Sequence, residues 1–315
     1  MIRALAKGAA QAAFGWAPGG PAAYRALTRG HLGTFASHVD KVARVWPGYA
    51  AVWQARCGVT LEGARLAVLD GGETPVVPLA AYLLTGAGGV VLNRHGGMLD
   101  RYLAHARAGV LAAAWPEGLV PAARRRVVDA LRWEPSVGAA LAAVGATVHT
   151  AVETALPVAT ASVDLLHSGG ALEHYAPAAL DALIAEMRRV VRPGGVISHV
   201  VDHRDHLHHG DRRLPFLAHL ALPDPVYRAV VGHPVGFHNR LAPAEVHARF
   251  VAAGLTPIAL RRLIYVDGAR PWVDDDAAAM RGTPGLAPRW LAPRFRGVAP
   301  VDLRTAAAHY LFRRS

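Results

Sequence analysis

Short apolar runs, cut by glycine, proline and acidic residues, set the rhythm of this chain. Arg65–Leu69 reads as a buried strand closed by Asp70-Gly71-Gly72, and a helix opens near Pro75. Gly89–Leu92 is a second apolar run ending at Asn93, and Ala146–Thr150 a third. Between them, helical periodicity fills Leu99–Ala113 and Pro121–Trp133. From Val163 the alternation is regular: strand Val163–Ser168, helix Pro177–Val191, turn Arg192-Pro193-Gly194-Gly195, strand Val196–Val201. A helix at Pro243–Ala253 and strands near Pro257–Val266 and Thr305–Phe312 complete the pattern.

Strands alternating with helices predict an α/β fold with a mostly parallel sheet. Right-handed crossovers then put the ligand crevice at the carboxyl ends of the strands, just after Leu69, Leu92, Thr150, Ser168 and Val201. Residues 1–60 read as a helical N-terminal lid, 61–315 as the α/β domain, and the His- and Pro-rich stretch at about 203–243 as a cap over the crevice. No internal repeat interrupts this plan.

Composition narrows the setting. The chain has 315 residues, 52% of them hydrophobic, enough for one sizeable core. Cys57 is the only cysteine, which excludes an intramolecular disulfide framework and suits a reducing, cytoplasmic compartment. No apolar run reaches the roughly 18 residues of a membrane span, and Lys7, Gly8 and Gln11 interrupt any secretory core in the first segment. The net charge of +11 suggests phosphate binding, but the arginines are scattered and not interleaved with aromatics. The expected partner is a small molecule, neither nucleic acid nor membrane. The oligomeric state is not encoded in these patterns.

The run Val163-Asp164-Leu165-Leu166-His167-Ser168, then Ala171-Leu172-Glu173-His174, Leu183–Arg189 and Val191-Arg192-Pro193-Gly194-Gly195 resembles the fourth strand, helix and Pro-Gly-Gly turn of class I S-adenosylmethionine (SAM) methyltransferases. Ser198–His206, followed by His238-Asn239-Arg240-Leu241 and Ala253-Gly254-Leu255, resembles an IDxxDH … NRL pattern in a subgroup of that family, whose members often lie in surface-sugar or natural-product pathways. With Asp302–Thr305 the resemblance covers roughly residues 60–315. It implies a Rossmann-like, seven-stranded sheet and SAM as cofactor. Family positions then put Asp70, Gly71, Gly72, Asn93, Glu153 and Ser168 around SAM. Three of the matching positions depart from the pattern. Asp70 replaces the first glycine of the turn after the first strand, Asn93 the ribose-binding acid, and Val152, with Glu153 beside it, the adenine-binding acid. These replacements predict a weakened or lost hold on SAM, since Asn93 lacks the charge-assisted bonds of a carboxylate.

Methyl transfer rests on proximity and desolvation, with a base where the acceptor is a hydroxyl. His174, just past the fourth strand, is a candidate base or a helix-capping residue. Asp202, His203 and His206, past the fifth strand, supply a base with an orienting carboxylate, or a network pinning the cap. Glu173, Asn239 and Arg240 are substrate-side candidates, Arg240 as an anion anchor. Five histidines between His199 and His209 raise metal binding, but a segment that begins as a strand splays them apart, so no metal is expected. Trp115, Trp133, Trp272 and Trp290 read as packing residues.

The function these features imply is SAM-dependent methylation of a small polar or glycosylated metabolite. Two alternatives remain: a methyltransferase-fold enzyme using its His/Asp crevice for other acid–base chemistry, and a non-catalytic partner protein.

Overall fold

The computed structural model describes residues 2–28, 32–72, 74–94, 98, 100–105, 115–116, 118–150, 152–264, 271–274 and 285–315. Its centre is an eight-stranded sheet in the order β3-β2-β1-β4-β5-β8-β6-β7. The strands are β1 (Leu66–Leu69), β2 (Val90–Leu92), β3 (Thr147–His149), β4 (Val163–Gly169), β5 (Val191–Asp202), β6 (Leu255–Ile264), β7 (Trp272–Asp274) and β8 (Thr305–Arg314). Strands β1 to β5 pair in parallel, β8 runs antiparallel to β5 and β6, and β7 runs antiparallel to β6. This is the expected Rossmann-like α/β fold with one correction: the strands number eight among the described residues, because the short β7 adds an edge hairpin to β6.

The helices are α1 (Ile2–Trp16), α2 (Gly20–Thr28), α3 (Leu32–Cys57), α4 (Val76–Thr85), α5 (Ala122–Ala130), α6 (Val137–Ala143), α7 (Pro177–Val190), α8 (His206–Gly210), α9 (Asp224–Val230) and α10 (Pro243–Ala252). The expected helix over Leu99–Ala113 is a 3-10 segment at Asp100–His105, and the rest of it lies outside the described residues. Arg192–Gly195 is not a free turn but a bulge within β5, looped out where Val163 pairs with Val191 and Leu165 with Val196. Trp115 is buried as expected, but Trp133 and Trp290 are exposed.

Side-chain alternation divides the core in two. Leu66, Val68, Leu165, Val196 and Leu311 face α3 and α4, while Ala67, Leu69, Leu166, Ile197, Tyr310 and Phe312 face α7 and α10. Phe216, Leu217, Leu286, Leu291, Phe295 and Leu303 form a third cluster under the 203–243 segment. Helix α1 lies against that segment: Trp16 donates its indole N–H to the Ala229 carbonyl at 2.9 Å.

Polar groups cross the first of these cores. The Trp53 indole N–H donates to Ser198 Oγ at 2.9 Å, and that hydroxyl meets His309 Nε2 at 2.8 Å. His167 Nδ1 lies 3.0 Å from the Ser198 carbonyl, so it carries the proton and donates. Trp46, Tyr49 and Trp53 of α3 ring the His167 imidazole. Helix α3 is therefore fixed to the sheet by hydrogen bonds as well as by apolar burial.

Ser198→Ala removes one shared partner and leaves the Trp53 N–H and His309 Nε2 unpaired in a dry core. The expected loss of stability is about 1–3 kcal/mol, read from the midpoint of urea unfolding. An unchanged midpoint would refute the bridging role.

Candidate functional site

The carboxyl ends of β1, β2, β4 and β5 form one edge, as Leu69↔Leu92 and Ser168↔His199 register requires. Its two halves are built differently.

The first half is the turn after β1. Asp70 holds φ 51°, in the left-handed region that aspartate tolerates better than most side chains. A Cβ on Gly71 would come within 2.7 Å of Val91, so only glycine lets this turn approach β2. Gly72, at φ +83°, carries the His38 imidazole where its own Cβ would stand. The Asp70 carboxylate accepts from the Arg94 backbone N–H at 2.9 Å and from Arg94 Nε at 3.2 Å. Arg94 also donates to the His174 carbonyl at 2.9 Å and lies over the Tyr175 ring. The pair thus spans the crevice from β1 to the segment after β4.

Asn93 is buried and donates Nδ2–H to the Gly72 carbonyl at 2.8 Å. That carbonyl can only accept, which fixes the amide's orientation. Asn93 Oδ1 is left buried with no hydrogen-bond partner. Beside the turn, a pocket partly open to solvent is lined by Lys41, Trp46 and Tyr49 of α3, by Asp70 and Gly71 of the turn and by His167 and Gly169 of β4.

The second half follows β4 and β5. A 3-10 turn, Leu172–His174, is stapled by Asn239, whose amide donates to the Leu172 and Tyr175 carbonyls at 2.9 and 3.0 Å. His174 Nδ1 lies 2.8 Å from the Phe237 carbonyl, so Nδ1 holds the proton and Nε2 keeps its lone pair. The His174 and His206 rings meet at 5.0 Å, and His206 packs against His238 at 4.4 Å. Glu173 lies beneath them, fully buried, with Oε2 unpartnered. Burial, and then the Asp202 charge, push its carboxyl up to about 8.

Burial opposes ionisation of Asp202, but hydrogen bonds from His209 and Arg204 outweigh it and hold the carboxyl far below its ordinary value. Arg204 Nη2 reaches it at 2.7 Å and His209 Nε2 at 3.1 Å. The imidazoles are lowered as well, which for them favours the neutral form. Burial lowers His174, and burial with the neighbouring His238 takes His206 down to about 2. Both are neutral at physiological pH.

His174 and His206 therefore face each other across the sheet edge, with Asp202 behind them through His209. His203 does not join them: it lies in the core, with Nδ1 3.2 Å from the Leu241 carbonyl and Nε2 2.9 Å from the Tyr310 hydroxyl. Both nitrogens are satisfied, which is the geometry of a packing residue. Ser168 is likewise turned away from the edge, its Oγ bonded to His199 Nδ1 at 2.7 Å inside the α10 face. Asn239 spends its amide on the 3-10 turn and on the Leu241 N–H at 3.2 Å, leaving nothing for a substrate. Arg240 is enclosed in the 203–243 segment between Tyr227 and Phe295, bonded to the Leu222 carbonyl and to Asp224. It is not at the crevice. Glu153 stands exposed past β3.

Arg94, His38, His209 and His238 belong to this edge without having been legible as site residues. Arg94 follows Asn93 directly, and His238 precedes Asn239, but a single sequence gives no sign that either folds inward.

Residues 97–198 match the family model of the methyltransferase domain. No curated protein matches the chain. Among solved structures, the chain is similar to an S-adenosylmethionine-dependent methyltransferase from Mesorhizobium loti at 14% identity and TM-score 0.43, covering 85% of this chain and 100% of that one. It is also similar to geranyl diphosphate C-methyltransferase from Streptomyces coelicolor, solved with Mg2+, geranyl diphosphate and S-adenosyl-L-homocysteine, at 11% identity and TM-score 0.44, covering 88% and 84%. The YcgJ protein of Bacillus subtilis shares 12% identity at TM-score 0.42, covering 85% and 99%.

Asn93→Asp turns a donor into a carboxylate facing the Gly72 carbonyl. Stability should fall by about 1–3 kcal/mol, seen as a lower melting temperature. A melting temperature at or above the parent's would mean that the Asn93–Gly72 bond does not hold the turn.

The buried imidazoles also set a pH dependence. Burial lowers His167, His203 and His309 to about 3, and His238 to about 4, against an unfolded value of 6.5. The unfolded chain therefore takes up protons first. Stability is fully present above pH 6.5 and lost as pH falls toward 4, by about 1.4 kcal/mol per pH unit for each such group. Glu173, whose folded value is raised to about 8, works in the opposite sense, losing stability as pH rises through that value. Melting temperatures measured from pH 8 to pH 4 should drop steeply below 6.5. A flat profile there would refute the burial of neutral imidazoles.

Proposed function

We propose that this chain, which has the class I methyltransferase fold and whose centre matches the methyltransferase domain, transfers a methyl group from SAM to a small polar or glycosylated metabolite seated against His174 and His206. The observation that carries the reading is the meeting of two neutral imidazoles on the same sheet edge as the glycine turn after β1. The N-terminal helices then serve as the lid and residues 203–243 as the cap.

The residues at the ends of β1 and β2 fit the cofactor's position. Asn93 Oδ1 is a buried acceptor without a donor, and the open pocket begins at Asp70 and Gly71. Asp70, Gly71, Gly72 and Asn93 would hold the cofactor, which when bound supplies an electrophilic methyl group on a sulfonium. The chain's own residues do the rest. His174, its proton fixed on Nδ1 by the Phe237 carbonyl, presents Nε2 to take a proton from the acceptor. His206, lowered to about 2, is too weak a base for that role and forms the facing wall.

A second reading has its own support. Arg94, tied to Asp70 and Tyr175, crosses the crevice, and His38 covers Gly72. That arrangement suits an enzyme of this fold that has given up methyl transfer for other acid–base chemistry.

Calorimetric titration with SAM and S-adenosylhomocysteine tests the first reading, since the second does not require the cofactor. Saturable binding of both is expected, and absence of binding would remove the methyl-transfer reading. On whichever acceptor a metabolite screen identifies, His174→Ala should lower turnover by about two to four orders of magnitude with an unchanged melting temperature. Full activity in that variant would reject His174 as the base.

A further inference from the structure

The histidines in the run His199–His209 do splay apart as a strand demands: His199 and His203 point into the core, away from the edge. A different set comes together across strands. Glu173 and His174, after β4, and His206, at the start of α8, place one ligand atom each within 4.8 Å of the others. We propose that these three side chains bind a divalent first-row transition metal ion.

Three features of the cluster point to a cation. Glu173 is buried with Oε2 unpartnered, so as an acid it wastes a hydrogen-bonding group and as a carboxylate it carries a buried charge that only backbone N–H groups and Lys41 offset. A metal ion removes both costs. His174 has its Nδ1–H bonded to a backbone carbonyl, the outer-shell arrangement that fixes an imidazole ligand's tautomer and leaves Nε2 for the ion. His206 is free of hydrogen bonds to protein among the described contacts and is held in place by ring packing against His174 and His238. The Asp202 carboxylate behind them adds negative potential, acting on Glu173, His174 and His206 alike, while Lys41 of α3 opposes it at Glu173 and Arg94, just past β2, at His174.

Donor chemistry narrows the ion. Two imidazoles and one carboxylate suit Zn2+, Fe2+ or Co2+ far better than Mg2+ or Ca2+, which prefer oxygen throughout. Bonds of about 2.0–2.2 Å put neighbouring ligand atoms about 3.5 Å apart, so the three side chains contract on loading. Glu173 lies at the bottom and the two half-buried imidazoles at the rim, which leaves the remaining coordination positions on the crevice side. Loading commits the His174 lone pair to the ion. The free base is then exchanged for a Lewis acid that makes a bound hydroxyl easier to deprotonate. Metal binding does not require methyl transfer and is tested without it.

The experiment uses the full chain without an affinity tag, stripped with a chelator and dialysed. Titration with Zn2+ should give one equivalent bound per chain, and Co2+ should give visible absorption typical of low-coordinate nitrogen and oxygen ligation. Glu173→Gln keeps the side chain's shape and should weaken Zn2+ binding by at least tenfold; His206→Ala should do the same. The parent's far-ultraviolet circular dichroism, retained in Glu173→Gln, shows that the loss is not unfolding. No stoichiometric binding, binding of Mg2+ in preference to Zn2+, or full Zn2+ affinity in the Glu173→Gln/His206→Ala double variant would each overturn the proposal. Failure of SAM binding would leave it standing.

Discussion

A buried imidazole is held neutral and costs least where its nitrogens find partners, and this fold buries eight histidines among its described residues, leaving a ring nitrogen unpartnered at His199 and His219. That single requirement organises the molecule. It makes Ser198 a junction between α3, β4 and β8, because His167, His309 and Trp53 all need its backbone or hydroxyl oxygen. It places Tyr310 beside His203, and Ser168 beside His199. Each pairing ties two strands, or a strand and a helix, at a point where apolar packing alone would allow sliding.

The carboxyl edge inherits its two-sided character from the same constraint. On the β4/β5 side, neutral imidazoles crowd around a carboxyl group with one unpartnered oxygen, and the Asp202 charge behind them is set against Lys41 and Arg94. On the β1/β2 side, the groups are spent on one another: Asp70 on Arg94, Asn93 on Gly72, His38 on the turn and on Thr74. The turn keeps glycines where close approach to Val91 and positive φ require them. Its first position, however, now belongs to an ion pair. Any ligand entering there competes with Arg94, which lies partly exposed over Tyr175.

Much of the fold was legible in the residues. Alternating apolar runs located β1, β2, β4, β5 and β8 within a few residues, because buried strands in an α/β sheet must be continuous and apolar. The edge strand β7 escaped notice, since three half-exposed residues carry no such signal. Residues 192–195 have turn composition but sit as a bulge in β5, where the pairing with β4 shifts register across Asp164.

The sequence by itself determined the sheet's topology class and the edge where ligands converge, because periodicity and punctuation are local properties. It also brought His174, Asp202 and His206 to that edge, since each lies at the end of a strand or within a few residues past one. Which way a side chain points there was decided only by tertiary packing. His203 and Ser168 are one strand step from the crevice yet face the core, because the pleat sends alternate residues to opposite sides and Tyr310 and His199 wait there as partners. Asn239 and Arg240, distant in sequence from what they touch, were committed to a staple and to the interior of the 203–243 segment by carbonyls that no local pattern reveals. The meeting of Glu173, His174 and His206 is of the same kind: it depends on how the ends of two neighbouring strands are spaced and on where α8 begins, quantities that exist only once the sheet has formed.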